Sequence, residues 1–466
     1  IIMSSRTYIE SLQEKIGEEV LLRGWVDIRR DHGKLIFIDM RDMTGMVQMV
    51  ALPNHTEAHT AASELRTEWV IEVKGKVNPR PEKMVNKEEQ NGMLEIEILE
   101  ITVLNKAETT PLDVRGDGRD IGEEVRLKYR YLDLRRPRMQ KNIRLRHEVE
   151  LFIRNFLSKE KFIEIETPLL SKSTPEGSRD YLVPSRLEQG KFYALPQSPQ
   201  QYKQLLMVAG FEKYFQFARC MRDEDTRGDR QPEFTQLDME MSFVRREDVM
   251  ELNERLLIDL VHTVAPHKKI QEIPFPRMTY AEAMATYGND KPDIRTDKND
   301  PDLLAFCWVI DFPFFEKTDQ GGWTFTHNPF SQPMPEHMDW LMKGENIGDI
   351  LTTQYDVALN GFEIGGGSIR NHVPEALAQV LKIMGHTEEG IKANFGHMLE
   401  AFSFGAPPHG GIAWGLDRLM AILQNEPNIR EVIAFAKTGE GKDLMMKSPS
   451  DVTPEQLVEL GLRVIK

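Results

Sequence analysis

The sequence predicts a multidomain fold: an N-terminal β-barrel followed by a larger domain in which helices and strands are mixed. Two observations predict it. Residues 20–104 alternate apolar and polar positions in short runs broken by turn residues. Beyond residue 140, helical periodicity and strand alternation succeed each other. With 466 residues, the chain is long enough for two or three domains and a large core.

In the first region, Val20–Val26, Leu35–Met40 and Met46–Val50 read as strands, with turns at Asp31-His32-Gly33 and Thr44-Gly45. A helical stretch follows at Glu57–Leu65, then strands at Trp69–Val77 and Leu94–Val103. Three strands, a helix and two strands is the order of an OB-fold barrel, whose open face commonly binds oligonucleotides. From Pro111 to Arg138 the chain is charged and irregular, which suits a hinge. The expected division is therefore 1–108 for the barrel, 109–140 for a linker and 141–466 for the main domain.

In the main domain, Leu145, Val149, Phe152, Ile153, Phe156 and Leu157 fall on one helical stripe. Phe162–Glu166 alternates like a strand and Pro168 ends it. Further helices are expected at Pro199–Ala209 and Asp417–Leu423.

Composition sets limits. Hydrophobic residues at 40% and charged residues at 29% describe an ordinary globular protein. No apolar run reaches the length of a membrane span, so no membrane partner is expected and a cytoplasmic location is the default. Cys220 and Cys307 are too few for a disulfide framework or a cysteine zinc site. The net charge of −15, taken alone, argues against nucleic acid. It is unevenly spread, however. Nine basic residues lie between Arg126 and Arg146 against the single acid Asp133, as a solvated helix face or as a phosphate-holding patch.

Four segments carry the chemistry. Phe162–Pro168 comes first. Phe217–Glu224 with Arg230–Asp238 is the second, Gly365–Arg370 the third and Gly415-Leu416-Asp417-Arg418 the last. Between them stand Thr174–Tyr181 and Gln197-Ser198-Pro199-Gln200 with Lys203. In this order, over nearly the whole chain, they resemble the class II aminoacyl-tRNA synthetases, in their bacterial aspartyl branch. The resemblance implies an α+β catalytic domain built on an antiparallel sheet, a homodimer, and ligation of L-aspartate to tRNA(Asp) with ATP and Mg²⁺. It also implies roles for particular residues. Arg222, Glu224 and Arg418 are the expected catalytic residues, and with Phe234, Gln236 and Glu363 they are the expected ATP site. The arginines would neutralise phosphates that a carboxylate must attack, because a planar guanidinium binds phosphate oxygens bidentately. Asp356 and Glu363 are the expected Mg²⁺ carboxylates, few in number because phosphates and water complete the octahedron. Glu176, Ser198, Gln200, Lys203, Asp238 and Arg370 are the expected aspartate site. There Lys203 and Arg370 would leave charges unpaired if asparagine bound instead. The glycines at 365–367 would let backbone approach the ligand closely.

In the barrel, Arg30, His32, Phe37, Gln48, Lys83 and Glu95 are the expected anticodon contacts. Phe37 would offer a stacking face, because alternation sets it opposite Ile36 and Ile38. His32 resembles the residue of relatives that also charge tRNA(Asn), whereas Lys83 resembles the choice of discriminating relatives. Two departures stand out. Members of the bacterial type usually carry a further domain between the second and last segments. Here Tyr287–Asp293 runs almost directly into Phe306–Pro313, so that domain is absent. Asn328 also stands where a second histidine is usual. Two alternatives remain: a lysyl or asparaginyl class II relative, and a non-catalytic RNA-binding paralogue.

Overall fold

The computed structural model describes residues 6–173 and 177–465, which divide into compact units at Asp113/Val114. In the first unit, strands β1 (Glu19–Asp31), β2 (Ile36–Arg41), β3 (Met46–Ala51), β4 (Val70–Pro79) and β5 (Leu94–Asn105) close a barrel in the order β1-β2-β3-β5-β4. Closure comes from a parallel β3–β5 pairing, Met49 opposite Ile96, while the remaining pairs are antiparallel. Alternation does the rest. Val20, Leu22, Val26, Ile36, Ile38, Met40, Val73, Ile96 and Ile98 fill the interior, and helix α1 (Thr56–Glu64) contributes Ala58 and Ala62. Gly75 lies so close to β5 that an added Cβ would stand 2.8 Å from the Glu97 carbonyl. A bulge between Val26 and Ile28 lets β1 run on to Asp31, beyond its expected end.

The second unit is built on an eight-stranded sheet. Its strands are β6 (Ile163–Glu164), β7 (Lys213–Met221), β8 (Glu233–Ser242), β9 (Arg277–Thr279), β10 (Phe306–Ile310), β11 (Tyr355–Leu359), β12 (Phe362–Ile369) and β13 (His409–Gly415). The order is β9-β10-β11-β12-β13-β8-β7-β6. The sheet is antiparallel across its interior but parallel at both edges, β9 with β10 and β6 with β7, so the expected antiparallel sheet is in fact mixed. Helices α2 (Pro137–Lys159) and α4 (Arg246–Val264) cover one face, and α3 (Gln200–Val208) and α5 (Leu416–Leu423) flank the central strands. The stripe on α2 puts Val149, Ile153 and Leu157 wholly inside this core. It therefore packs within the chain and is no evidence for a partner.

Most of the segment expected as a linker falls within the second compact unit. From Val114 on, the chain belongs to the second unit, with short helices at Glu123–Lys128 and Arg130–Asp133. The basic run is neither a solvated face nor a phosphate patch in its main part. Asp133, fully buried, accepts from Arg130 Nη1 at 2.9 Å and Arg136 Nε at 2.7 Å. Glu431 accepts from both ends of the Arg126 fork at 3.0 and 2.7 Å and from Arg138 at 2.9 Å. Glu426 binds Arg138 and Asn142, and Arg130 also donates to the carbonyls of Ile433 and Ala434. Buried arginines survive because partners take most of their donors. Cys220 and Cys307 are both buried, and no disulfide joins them.

Where the further domain is missing, the chain is a short stitched connection. Gly288 ends helix Tyr280–Tyr287 in the left-handed conformation, Asp293 clasps Arg295 at 2.8 Å, and Thr296 donates to Gln271.

Candidate active site

Strand β8 carries the site. Its sequence, Leu237-Asp238-Met239-Glu240-Met241, alternates acid with apolar, so Asp238 and Glu240 face the same side of the sheet. Both are fully buried there, and two cations meet them. Lys203, on the second turn of α3, donates to Asp238 at 2.7 Å and lies 3.2 Å from Glu240. Arg370, just after β12, donates from Nε and Nη2 to the two oxygens of Glu240 at 2.9 and 3.1 Å. Its Nη1 donates to Ser368 Oγ at 2.9 Å.

The charge balance explains the protonation states. Burial would push the Glu240 carboxyl up, but Arg370 and Lys203 draw it down to about 2. Burial raises Asp238 above the usual carboxylate range against the pull of Lys203. Its Oδ2 has no hydrogen-bond partner among the described residues, so a ligand donor is wanted there. Arg370 has five N–H groups and three are engaged, which leaves one on each terminal nitrogen without a partner among the described residues. With Asp238 and Glu240 each taking one N–H of Lys203, its third has no partner among the described residues. A carboxylate, whose two oxygens offer about four lone-pair sites, can accept from all of them.

Two cavities meet at this strand. The first is lined by Arg222, Glu224, Phe234, Gln236, Glu363 and Arg418, with Arg230 and Asp229. The second is lined by Ser198, Gln200, Lys203, Asp238 and Arg370, with His327, Asn328 and the glycines at 366 and 367. Arg222, Gln236 and Glu363 line both, so the cavities adjoin there. Every expected ATP residue stands in the first, and every expected aspartate residue but Glu176 stands in the second. Glu176 lies outside the described residues.

In the first cavity, the Arg222 guanidinium lies 5.1 Å over the Phe234 ring. Arg418 donates to Asp229 at 3.2 Å and to the Glu363 carbonyl. Glu224 accepts from Ser178 and is 3.5 Å from Arg230. Asp417, beside Arg418, accepts from Arg146 on α2 and from the Thr235 amide of β8 at 3.0 Å. That bond ties α5 to the strand beside it, and one more arginine of the basic run is thereby accounted for.

The expected metal carboxylates lie on neighbouring strands, Asp356 on β11 opposite Gly366 and Glu363 on β12 opposite Ala358, near enough for the Glu363 charge to act on Asp356. Asp356 is buried and accepts from Gln354 at 2.6 Å. Burial and the Glu363 charge raise its carboxyl well above the usual range, a penalty that a cation between them would relieve. His327 is lowered by burial against the pull of Glu363 and Asp290. The glycines at 365–367 lie within β12, where they also admit close neighbours inside the protein. A Cβ on Gly365 would stand 2.7 Å from the Trp414 ring, and one on Gly366 would stand 2.6 Å from Asp356.

On the barrel, Arg30 clasps Asp39 at 2.5 and 2.8 Å and reaches Gln48 at 3.2 Å, which in turn donates to Glu95 at 3.3 Å. These link β1, β2, β3 and β5 on the outer face. Phe37 is half-buried between buried Ile36 and Ile38, and His32 packs edge-on to it at 5.6 Å. Lys83 is exposed in a short helical turn between β4 and β5. Arg29 donates to the Ser63 carbonyl.

Sequence reasoning missed Glu240, Asp229 and Arg146. The alternation of β8 signalled the first. Nothing local signals the other two, because their partners lie 189 and 271 positions away.

Comparisons with known proteins show the family and the fold. The family of class II tRNA synthetases (D, K and N) matches residues 122–439, and the OB-fold nucleic acid binding domain matches residues 20–104. An aspartate–tRNA ligase of Lysinibacillus sphaericus is 40% identical, over 99% of this chain and 99% of its own length. That alignment runs to 593 positions against 466 residues here, so over a hundred positions of the alignment have no counterpart in this chain. An aspartate–tRNA(Asp) ligase of Deinococcus radiodurans is 39% identical over 96% of both chains. An aspartate–tRNA(Asp/Asn) ligase of Rubrobacter xylanophilus is 40% identical over 96% of this chain and 94% of its own. Among solved structures, an asparaginyl-tRNA synthetase of Pyrococcus horikoshii complexed with asparaginyl-adenylate superposes with a TM-score of 0.75. It is 22% identical, with 94% of this chain and 99% of that one covered, a likeness of fold. Full-length identity to curated relatives and the family match over most of the second unit place the chain in the aspartate–tRNA ligase family of the class II tRNA synthetases.

Proposed function

We propose that this chain activates L-aspartate with ATP and esterifies it onto tRNA(Asp). One observation carries the reading: a pocket with unengaged buried cationic donors opens into an arginine-lined cavity, and Arg222, Gln236 and Glu363 stand at the junction. Aspartate binds with its side-chain carboxylate on Lys203 and Arg370 and its ammonium on Asp238. Ser198, Gln200 and Glu176 complete the contacts. The α-carboxylate oxygen then attacks the α-phosphorus and pyrophosphate leaves, with Arg222 on the α-phosphate and Arg418 on the γ-phosphate. Adenine stacks on Phe234, and Glu224 and Gln236 hold the nucleotide. The terminal ribose hydroxyl of tRNA next attacks the aspartyl carbonyl carbon, and AMP leaves.

Asp356 and Glu363 would hold Mg²⁺, whose hard oxygen preference and need for few protein ligands they satisfy. When bound, it supplies charge neutralisation between the phosphate oxygens. An aspartate carboxylate presented to Lys203 and Arg370 satisfies donors that an asparagine amide would leave unpaired. A lysine substrate would bring a cation against cations.

Residues 1–108 serve as the anticodon-binding domain and 141–466 as the catalytic domain. Arg30, Phe37, Gln48 and Glu95 form one continuous outer patch of the barrel, with His32 and Lys83 at its loops. His32 is small and can donate or accept, so we infer that the enzyme charges tRNA(Asn) measurably, though more slowly than tRNA(Asp). The chain works in the cytoplasm as a homodimer. Support for the dimer comes from β6, a two-residue edge strand with Ile163, Leu169 and Leu170 about half exposed around Pro168. Sedimentation at micromolar concentration checks it.

The test of the function is exchange of labelled pyrophosphate into ATP with aspartate, asparagine or lysine. Aspartate should support it best and only with Mg²⁺; faster exchange with either other amino acid would overturn the assignment. Aminoacylation of the two purified transcripts tests the tRNA range, and no aspartate on tRNA(Asn) at high enzyme would sink the relaxed reading.

A further inference from the structure

Behind the second cavity, and not lining it, lies a row of buried polar groups. His409 Nδ1 is 2.7 Å from the Pro407 carbonyl, and its Nε2 is 3.1 Å from Gln204 Nε2. Gln204 Oε1 is 3.0 Å from Gln200 Nε2, one helical turn back on α3. Gln204 and His409 are fully buried, and Gln200 opens onto the cavity.

The chemistry of this row allows one polarity. A carbonyl only accepts, so the His409 proton must sit on Nδ1. Burial lowers the imidazole to about 4, so at neutral pH the ring is uncharged and Nε2 is an acceptor. Gln204 must then turn its nitrogen to the ring and its oxygen to Gln200. Gln200 must answer with its own nitrogen, which leaves its carbonyl oxygen for the cavity. That oxygen is the acceptor a substrate ammonium needs beside Asp238. Reversed, the amide would present a second donor to a cation.

We propose that Gln204 and His409 are positioning residues that fix the Gln200 carbonyl toward the amino group of the substrate. The inference rests on the reading of the cavity as an amino-acid site. Because the ammonium is common to aspartate and asparagine, the relay sets affinity for both and does not distinguish them.

Pyrophosphate exchange by the full chain tests it. Gln204→Leu should raise the aspartate KM about tenfold and leave the ATP KM within about twofold, since an unsatisfied or reversed amide acts only at the ammonium. The asparagine KM should rise in parallel. His409→Gln, whose amide oxygen replaces the ring acceptor, should stay within about threefold of the wild type. An unchanged aspartate KM in Gln204→Leu, or a loss confined to aspartate, would overturn the relay. If Gln204→Leu fails to fold, ¹⁵N-imidazole NMR of the unaltered protein decides. An unprotonated Nε2 on His409 at pH 7 supports the relay, and a protonated one contradicts it. That readout needs no activity, so it stands apart from any failure of the amino-acid assignment.

Discussion

Two arginine-rich regions of the second unit look alike in sequence and behave oppositely in structure. Between residues 126 and 146, Arg126, Arg130, Arg136, Arg138 and Arg146 are drawn inward onto Asp133, Glu426, Glu431 and Asp417. Around β8, Lys203 and Arg370 are buried just as deeply, yet Glu240 and Asp238 leave three of their donors over. Cation density therefore does not mark an anion site. Donors left after internal pairing do, because in a buried setting an unmade hydrogen bond is a standing cost that a ligand removes.

The comparison can be broken most forcefully from the saturated side. Asp133→Asn should destabilise the fold by about 3–5 kcal/mol, since it strands buried guanidinium charges. Denaturant unfolding measures this, and the KM values of the molecules that remain folded should be unchanged. Arg418→Ala is the converse. It removes a phosphate partner rather than core volume, so the midpoint of unfolding should stay near that of the wild type. ATP-dependent exchange should lose about 1.5–3 kcal/mol of kcat/KM, the range for a hydrogen bond to a charged group.

Acid sharpens the contrast. Burial opposes ionisation of Glu431, but Arg126 and Arg138 hold its carboxyl down to about 2, below an ordinary value of 4.5. The unfolded state then binds the proton first. The contribution of Glu431 is fully present above pH 4.5 and is lost as pH falls from there to about 2. Glu431→Gln should flatten that part of the stability profile. The smallest effect belongs to the barrel, where His32→Leu should widen the gap between tRNA(Asp) and tRNA(Asn) by about 1 kcal/mol, the low end for a single base contact.

How much of this was legible depended on how far apart the partners lie in the chain. In the barrel, strand alternation alone places Ile36 and Ile38 inside and Phe37 outside, and the strands emerge within a few residues of their expected bounds. The helices on α3 and α5 were equally legible, at Gln200–Val208 and Leu416–Leu423. The segment 114–140 was not, because Glu426 and Glu431, which take Arg126 and Arg138, lie 288 to 305 positions away, and a local reading sees only Asp133 against the positive charge. The candidate site falls between these cases. Motif words singled out Lys203, Asp238 and Arg370, but Glu240, which joins the two cations, showed only as an acid in an apolar strand. Gln204 and His409 carried no local signal, since their role lies in a hydrogen-bond order across 205 positions.

The central claim is that the donors left over on Lys203 and Arg370 are there for the aspartate carboxylate. Pyrophosphate exchange by Lys203→Leu, with aspartate and asparagine compared side by side, tests it most directly. The account predicts a loss of about 2–4 kcal/mol in kcat/KM for aspartate and a far smaller one for asparagine, whose amide never made the ionic contact. Equal losses for the two amino acids would contradict it.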